Sequence, residues 1–255
     1  MSLLEIEGLY KAFGGLSAVF NVDFRLEKGE LVGLIGPNGA GKTTVFNLIT
    51  GVYQPDQGSM IFAGQNLVGL HPYEICRRGV ARTFQNIRLF RDLSVLDNVR
   101  IAFHKDVHYG LFSAIFRTAA FFRGEQDMER QALEFLRIFK LDHKRDEIAS
   151  SLPYGEQRRL EIARALATRP AMLILDEPAA GMNPQETQEL MQLIQWLRQE
   201  FNLSILLIEH DMAMVMGVCE RIYVLDYGQV IAEGKPDEIR ANKKVIEAYL
   251  GEEVD

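Results

Sequence analysis

The stretch Gly36-Pro37-Asn38-Gly39-Ala40-Gly41-Lys42-Thr43-Thr44 decides the fold of this chain. It lies between the apolar run 31–35 and a helical pattern at 45–49, so it is GxxxxGK[ST] in the strand, loop and helix order that a phosphate-binding loop requires. Its glycines permit backbone conformations that other residues avoid, so that successive N–H groups can surround a phosphate at the start of the helix. The stretch therefore predicts an α/β nucleotide-binding fold.

Charged and hydroxyl side chains next to the loop predict how the nucleotide is held. We expect Lys42 to pair with the β- and γ-phosphates and the Thr43 hydroxyl to ligate Mg²⁺. A second apolar run, 172–175, ends in two adjacent carboxylates: Asp176 is predicted to hold Mg²⁺ through water, and Glu177 to polarise the attacking water. The predicted ligands are therefore ATP and Mg²⁺. The loop residues predicted to contact ATP are Gly36, Pro37, Asn38, Gly39, Ala40, Gly41, Lys42, Thr43 and Thr44.

The hydrophobic patterns outside the loop predict three regions. The runs 31–35, 172–175 and 205–208 are continuously apolar, as in parallel strands that are covered on both faces. Residues 4–7 and 19–26 instead alternate apolar with polar, which indicates a small antiparallel sheet. From 93 to 151 strand signals vanish and apolar residues recur at helical spacing. Those predicted to share one helix face are Met128, Ala132, Phe135, Leu136 and Phe139.

Composition excludes several classes of protein. The chain has 255 residues, 47% of them hydrophobic, and its 28 Lys and Arg against 35 Asp and Glu give a net charge of −7, which argues against a nucleic-acid partner. The only cysteines, Cys76 and Cys219, are far apart and predict neither zinc nor disulfides. No secretory signal begins the sequence, and the longest lipophilic stretch, 111–122, is too short to span a bilayer. We therefore expect synthesis and retention in the cytoplasm.

The segment Ser151-Leu152-Pro153-Tyr154-Gly155-Glu156-Gln157-Arg158-Arg159-Leu160 resembles the LSGGQ signature of ABC-type ATPases. In that family's pattern, Phe13 matches the aromatic residue that stacks on adenine, with a core aromatic as the alternative. Gln85 matches the Q-loop glutamine, with a surface amide as the alternative. His210 matches the switch histidine, with a hydrogen-bonded residue at a strand end as the alternative, and 180–183 match the D-loop. The resemblance implies that Gln85 and His210 act in catalysis beside Glu177, and that Gln85 ligates the metal.

Two departures from the family pattern bear on the site. Pro153 replaces the signature serine, whose hydroxyl meets the γ-phosphate in the family, and Asn183 replaces the D-loop aspartate. Proline offers neither a hydroxyl nor an N–H, although it can preset the first turn of the helix that follows. We therefore expect the Gly155 N–H to make the phosphate contact, with Tyr154 and Glu156 beside it. The family implies that this signature completes the phosphate loop of a second subunit, so a lone chain should be a poor ATPase.

The family also implies a fold class and its boundaries: α/β, a P-loop NTPase of ABC type, with a RecA-like parallel-sheet core, an antiparallel β subdomain and an α-helical subdomain. We expect one domain over 1–255. Within it, 1–86 and 158–236 form the core, 87–157 the helical subdomain with the signature, and 237–255 a C-terminal helical tail.

Segments along most of the chain resemble the ATP-binding subunits of branched-chain amino-acid importers, namely 82–90, 180–187, 208–212 and 245–251. This resemblance implies two transmembrane permease subunits, a second ABC ATPase that is the same or a related chain, an indirectly associated solute-binding protein, and a peripheral place on the cytoplasmic face of the inner membrane. An aromatic insert at 109–122 is typical of that subunit, and we expect it to pack against the helical subdomain rather than on lipid.

Two alternative functions stay open. A lipopolysaccharide-export ATPase shares the region around Cys219 and the C-terminal Tyr-Leu-Gly, but the sequence near Gln85 and the long insert argue against it. A soluble ABC ATPase of iron–sulfur assembly is also a single module. Translation and DNA-repair ABC proteins are disfavoured because the chain has neither tandem modules nor long heptad arms.

Overall fold

The computed structural model describes residues 2–106 and 111–250. The chain forms two compact units: Met1–Arg82 with Ala171–Asp255, and Thr83–Pro170. The strands are β1 (Ser2–Phe13), β2 (Leu16–Glu27), β3 (Leu31–Ile35), β4 (Gln57–Phe62), β5 (Gln65–Asn66), β6 (Val80–Arg82), β7 (Met172–Asp176), β8 (Ser204–Ile208), β9 (Arg221–Asp226) and β10 (Gln229–Gly234). The α-helices are α1 (Lys42–Ile49), α2 (Pro72–Arg77), α3 (Val95–Arg100), α4 (Leu111–Ile115), α5 (Ala119–Ile138), α6 (Tyr154–Ala167), α7 (Pro184–Glu200), α8 (Met212–Val218), α9 (Pro236–Arg240) and α10 (Lys243–Leu250).

The first unit holds two sheets. A four-stranded antiparallel sheet has the order β2-β1-β4-β5, and a six-stranded sheet has the order β10-β9-β3-β8-β7-β6. Among the described strands of the second sheet, only β10 runs antiparallel to its neighbour. The predictions of a parallel core and a small antiparallel sheet are therefore confirmed.

The parallel strands bring three sequence-distant segments to one edge of the sheet. Strands β3, β7 and β8 are buried at every position, as continuous apolar runs require. Strand β8 lies between the other two, with Ile208 paired to Leu34 on one side and to Asp176 on the other. The segments that follow these strands therefore start side by side, which is where ligands bind in open α/β sheets.

In the described part of the second unit, all regular elements are helices, apart from an isolated bridge between Ser94 and Ile148. Helix α5 buries Met128, Ala132 and Leu136 along one face, and the aromatic ring of Phe139 is buried where the helix ends. The predicted apolar face is thus confirmed.

The aromatic insert differs from its prediction. The side chains of Phe112, Ile115, Phe116 and Phe122 are exposed, so the expected packing against the helical subdomain is wrong for these four. Residues 112, 115 and 116 share one face of a single helical turn, and the Phe112 and Phe116 rings contact each other at 4.6 Å between centroids. Tyr109 lies outside the described residues.

Two remaining expectations concern cysteines and membrane segments. Both cysteines are free thiols, and burial raises the pKa of Cys219. Within the ranges the structure describes, no helix combines the length and the apolar character needed to cross a bilayer.

Candidate functional site

The loop between β3 and α1 is fixed by two glycines whose positions exclude any side chain. Gly36 has φ 150° and Gly41 has φ 102°, which are conformations that L-residues rarely adopt. A Cβ at Gly36 would lie 2.0 Å from the carbonyl oxygen of Leu225, and one at Gly41 would lie 2.4 Å from that of Ala18. Neighbouring backbone therefore holds the loop on two sides.

Several backbone N–H groups of this loop are open to a ligand. The Ala40 N–H donates to Pro37, but no hydrogen bond among the described residues uses the N–H of Gly39, Gly41, Lys42 or Thr43. Helix α1 begins here without a side-chain cap, so its first N–H groups have no intrahelical partner. A cluster of unpaired N–H groups at a helix start favours an anion such as a phosphate.

Lys42 carries the positive charge of the loop. The residue is buried, with 8% of its surface exposed, and its Nζ donates to the carbonyl oxygens of Gly36 at 2.7 Å and Pro37 at 2.9 Å. Burial lowers the pKa of Lys42, and the carboxylates of Glu177 and Asp176 act in the opposite direction. The ammonium therefore already lies within the field of both predicted acidic residues, in a place where phosphate oxygens can replace carbonyl oxygens.

The acidic pair follows β7. Asp176 is the last residue of the strand and is buried, whereas the Glu177 side chain is 20% exposed. Glu177 has φ 44°, a left-handed conformation that costs a residue with a Cβ roughly 1–2 kcal/mol. Its N–H donates to the carbonyl of Ile208 at 2.8 Å, which holds this strained turn against the end of β8. Such strain at a chain reversal is typical of functional sites.

His210 lies next to Glu177. Its Nδ1 is 3.6 Å from Glu177 Oε1, a distance for a charge contact rather than a hydrogen bond, and its side chain is 59% exposed. The structure therefore brings the predicted base and the predicted switch histidine together. The imidazole is accessible to a ligand or a partner.

Glu209 is a site residue that the sequence reasoning missed. Its carboxylate is 1% exposed: one oxygen accepts from the Ala179 N–H at 3.0 Å, and the other from the N–H groups of His210 at 3.1 Å and Asp211 at 3.4 Å. Burial raises the pKa of Glu209, opposed by these three hydrogen bonds and by His210. The carboxylate thus joins the segment after β7 to the segment after β8. A charged residue directly after the apolar run 205–208 was the available signal.

The C-terminal helix also reaches the loop. Burial raises the pKa of Tyr249 in α10, and a hydrogen bond with the backbone of Gly36 opposes that rise. The predicted helical tail therefore supplies a side chain beside the first glycine of the loop.

Phe13 and Asn183 complete the predicted residues of the first unit. Phe13 ends β1 with 43% of its surface exposed, and its ring meets Tyr53 edge-on at 5.1 Å. This exposure disfavours a core role and keeps the ring available for stacking. Asn183 caps α7, because its Oδ1 accepts from the Glu186 N–H at 3.0 Å while Glu186 accepts from the Asn183 N–H at 3.0 Å.

The signature residues of the second unit lie at the start of α6. Pro153 is the N-cap, one position before the first helical residue, and provides no side-chain hydrogen bond to the helix. In the described chain the Gly155 N–H is used by no other residue, as the predicted phosphate contact requires. Tyr154 is exposed, whereas the carboxylate of Glu156 pairs with Lys144 at 2.6 Å. Gln85 is exposed in the same unit.

Comparisons with known proteins agree with this geometry. Residues 19–180 match the family model described as ABC transporter, and 229–255 match that of the branched-chain amino acid ATP-binding cassette transporter. The Escherichia coli high-affinity branched-chain amino acid transport ATP-binding protein LivG is 52% identical, with 98% of each chain covered. The Pseudomonas aeruginosa protein BraF of the same description is 47% identical, again over 98% of each chain. A crystal structure of an ABC transporter's ATP-binding cassette in its ADP conformation superposes with a TM-score of 0.85, at 32% identity, over 99% of this chain and all of that one.

Proposed function

This chain belongs to the ABC transporter family of ATPases, and we propose that it is the ATP-binding subunit that powers an importer of branched-chain or other hydrophobic amino acids. The observation that carries the proposal is the 52% identity to LivG across 98% of both chains. The separate match of residues 229–255 to the branched-chain cassette model supports the same solute class.

The loop and the acidic strand end account for nucleotide binding. The N–H groups of 39 and 41–43 and the ammonium of Lys42 surround the phosphates, and Phe13 stacks on adenine. The donor set suits Mg²⁺, because one buried carboxylate, Asp176, and one hydroxyl, Thr43, are the few protein ligands that this ion takes beside phosphates and water. Mg²⁺ held by these residues would neutralise charge on the transferred phosphoryl group. Gln85 retains its proposed role as a further ligand.

The acidic residues that follow the strands carry the hydrolytic step. Glu177 orients and polarises the attacking water, and His210, 3.6 Å away, contacts the same carboxylate and responds to the γ-phosphate. Glu209 is a positioning residue for Glu177 and His210, because its buried carboxylate accepts hydrogen bonds from the backbone N–H groups of both Ala179 and His210. The strained turn at Glu177 supports this assignment.

Two copies or related chains close around ATP in this proposal. The uncapped first turn of α6 supports Gly155 as the group that meets the phosphate of the facing subunit, with Tyr154 and Glu156 at the edge of that contact. Closure drives two transmembrane permease subunits, which receive the solute from a binding protein, and hydrolysis reopens the pair. The chain is accordingly placed at the cytoplasmic face of the inner membrane.

The second unit offers a groove for the permease. A cavity of about 450 Å³ is lined by four apolar residues, Leu89, Phe90, Ile101 and Ala102, and by the polar residues Arg88, Arg164 and Thr168. A lining that combines apolar and cationic side chains suits an amphipathic helix of the permease. The aromatic residues of the insert remain a separate exposed surface.

Affinity purification from detergent-solubilised native membranes tests the proposal. We expect two polytopic permease subunits and a second ABC ATPase to stay bound. Recovery of soluble iron–sulfur scaffold proteins, or of lipopolysaccharide-export subunits, would replace the amino-acid importer with one of those alternatives while leaving the ATPase assignment intact.

A further inference from the structure

A buried ion pair in the second unit touches the backbone of the proposed Q-loop. Arg158 and Glu161, one turn apart on α6, are 0% and 1% exposed, and Nη1 of Arg158 lies 2.8 Å from Oε2 of Glu161. Burying two charges costs free energy that apolar side chains at the same positions would not. The pair therefore needs an explanation other than stability.

The guanidinium of Arg158 donates hydrogen bonds to two successive backbone carbonyl groups. Its Nη1 donates to the carbonyl oxygen of Phe84 at 2.6 Å and its Nη2 to that of Gln85 at 2.8 Å. Nη2 also approaches the hydroxyl of Tyr154, a signature residue, at 3.4 Å. A planar fork with several fixed donors can make these contacts together, which a lysine ammonium cannot do with the same geometry.

Glu161 and Asn98 form further hydrogen bonds with the backbone of the same segment, at Arg88 and Phe90. The second carboxylate oxygen of Glu161 accepts from the Arg88 N–H at 3.0 Å. The fully buried side chain of Asn98 on α3 pairs with both the N–H and the carbonyl of Phe90, at 2.9 and 3.0 Å. The backbone from 84 to 90 is thus bound by buried polar groups, whereas the side chains of Gln85, Arg88 and Phe90 are exposed.

We propose that Arg158 and Glu161 are positioning residues that lock the Q-loop backbone to the signature helix, so that Gln85 and the start of α6 move as one body. The proposal rests on the assigned roles of Gln85 and of the signature. The Arg158 guanidinium and the Glu161 carboxylate both form hydrogen bonds with the backbone of this loop. A shift of α6 therefore carries residues 84–88 with it.

Arg158→Lys and the double variant Arg158→Met/Glu161→Leu test the proposal in the full chain and in its complex with the permease. Lysine keeps the charge beside Glu161 but loses the fork. The apolar pair fills the same space without buried charges, which offsets the loss of the three backbone contacts, so the melting temperature should stay close to that of the wild type. The matched control is Arg130→Lys, whose exposed partner Asp127 is also three residues away on a helix.

We expect both test variants to lower the permease-stimulated kcat at least about tenfold, with KM for ATP changed less than about twofold, because Arg158→Lys loses one to two charged hydrogen bonds to the loop and the double variant loses all three. Amide hydrogen exchange of the peptide 84–90 in the isolated chain should accelerate by a similar factor, and the control should match the wild type in all readouts.

A double variant with full stability and wild-type kcat would overturn the proposal, since the pair would then be merely structural. Unchanged exchange of 84–90 would do the same. If the double variant does not fold, Arg158→Lys decides alone, and wild-type kcat and exchange in it would contradict the proposal. If instead the wild-type chain shows no permease-stimulated hydrolysis, the importer assignment fails. The hydrogen-exchange measurement still tests whether Arg158 and Glu161 hold the Q-loop backbone to the signature helix.

Discussion

Replacing Glu209 by glutamine tests how the hydrolytic residues are held. The carboxylate accepts from N–H groups on both sides, Ala179 on one oxygen and His210 with Asp211 on the other. A glutamine amide has one oxygen that accepts and one NH₂ group that only donates, so whichever way it is turned, its NH₂ faces a buried N–H. At least one buried donor is left unsatisfied in Glu209→Gln.

The structure sets the size of the effect. One unsatisfied buried N–H costs about 2 kcal/mol, which for a chain of this length corresponds to a melting temperature lower by roughly 4–8 °C. Because the lost bond releases the segment after β7 or that after β8, permease-stimulated kcat should also fall about tenfold. Nucleotide affinity should change little, since the loop contacts of Lys42 are untouched.

Calorimetry of the isolated chain and ATPase assays of the complex measure these effects. Glu186→Gln is the matched control, because Glu186 accepts one N–H in a capping box that glutamine serves equally well. Glutamine mimics a protonated carboxyl group. If Glu209→Gln behaved like wild type in both assays, the carboxyl would be neutral and the three-donor explanation would be refuted.

Three further predictions concern the nucleotide site itself. Glu177→Gln should retain ATP binding but lower permease-stimulated turnover at least about a hundredfold, measured by phosphate release; unchanged turnover would remove Glu177 as the base. Gly41→Ala should abolish nucleotide binding, measured by fluorescence titration, because its Cβ would lie 2.4 Å from the Ala18 carbonyl oxygen. Gly39→Ala should weaken binding less, because Gly39 also has a positive φ, 82°, but open space around its Cβ position. Equal effects of the two substitutions would contradict the steric argument. Burial lowers the pKa of Lys42 in the free chain, and contact with phosphate raises it, so ATP binding should take up protons and weaken as the pH rises toward 10.5, the usual lysine value. Calorimetry in buffers of different ionisation enthalpy should detect that proton uptake. If no uptake were found, Lys42 would lie away from the phosphates.

The sequence predicts best where local chemistry and topology coincide. The loop 36–44 dictates its own conformation, because Gly36 and Gly41 adopt backbone angles closed to other residues. The carboxyl ends of neighbouring parallel strands share one edge, which explains why Glu177 and His210 lie together, but His210 was singled out by the resemblance to ABC-type ATPases and not by the apolar runs.

Features that depend on tertiary contacts could not be predicted from the sequence. Glu209 and Arg158 carry charges that look solvated in a linear sequence, and only the packed structure shows their burial and their backbone partners. The exposed ring of Phe116 illustrates the opposite error, in which an apolar side chain was expected to be covered. The capping by Asn183 likewise became visible only with the helix it begins.

Leucine uptake by proteoliposomes that contain the copurified permease, the second ATPase and this chain tests the central proposal most directly. With the solute-binding protein outside and ATP in contact with the ATPase subunits, we predict leucine accumulation that requires hydrolysis and is lost in Glu177→Gln. Hydrolysis that proceeds at the same rate with and without leucine-loaded binding protein, with no leucine accumulated, would contradict it.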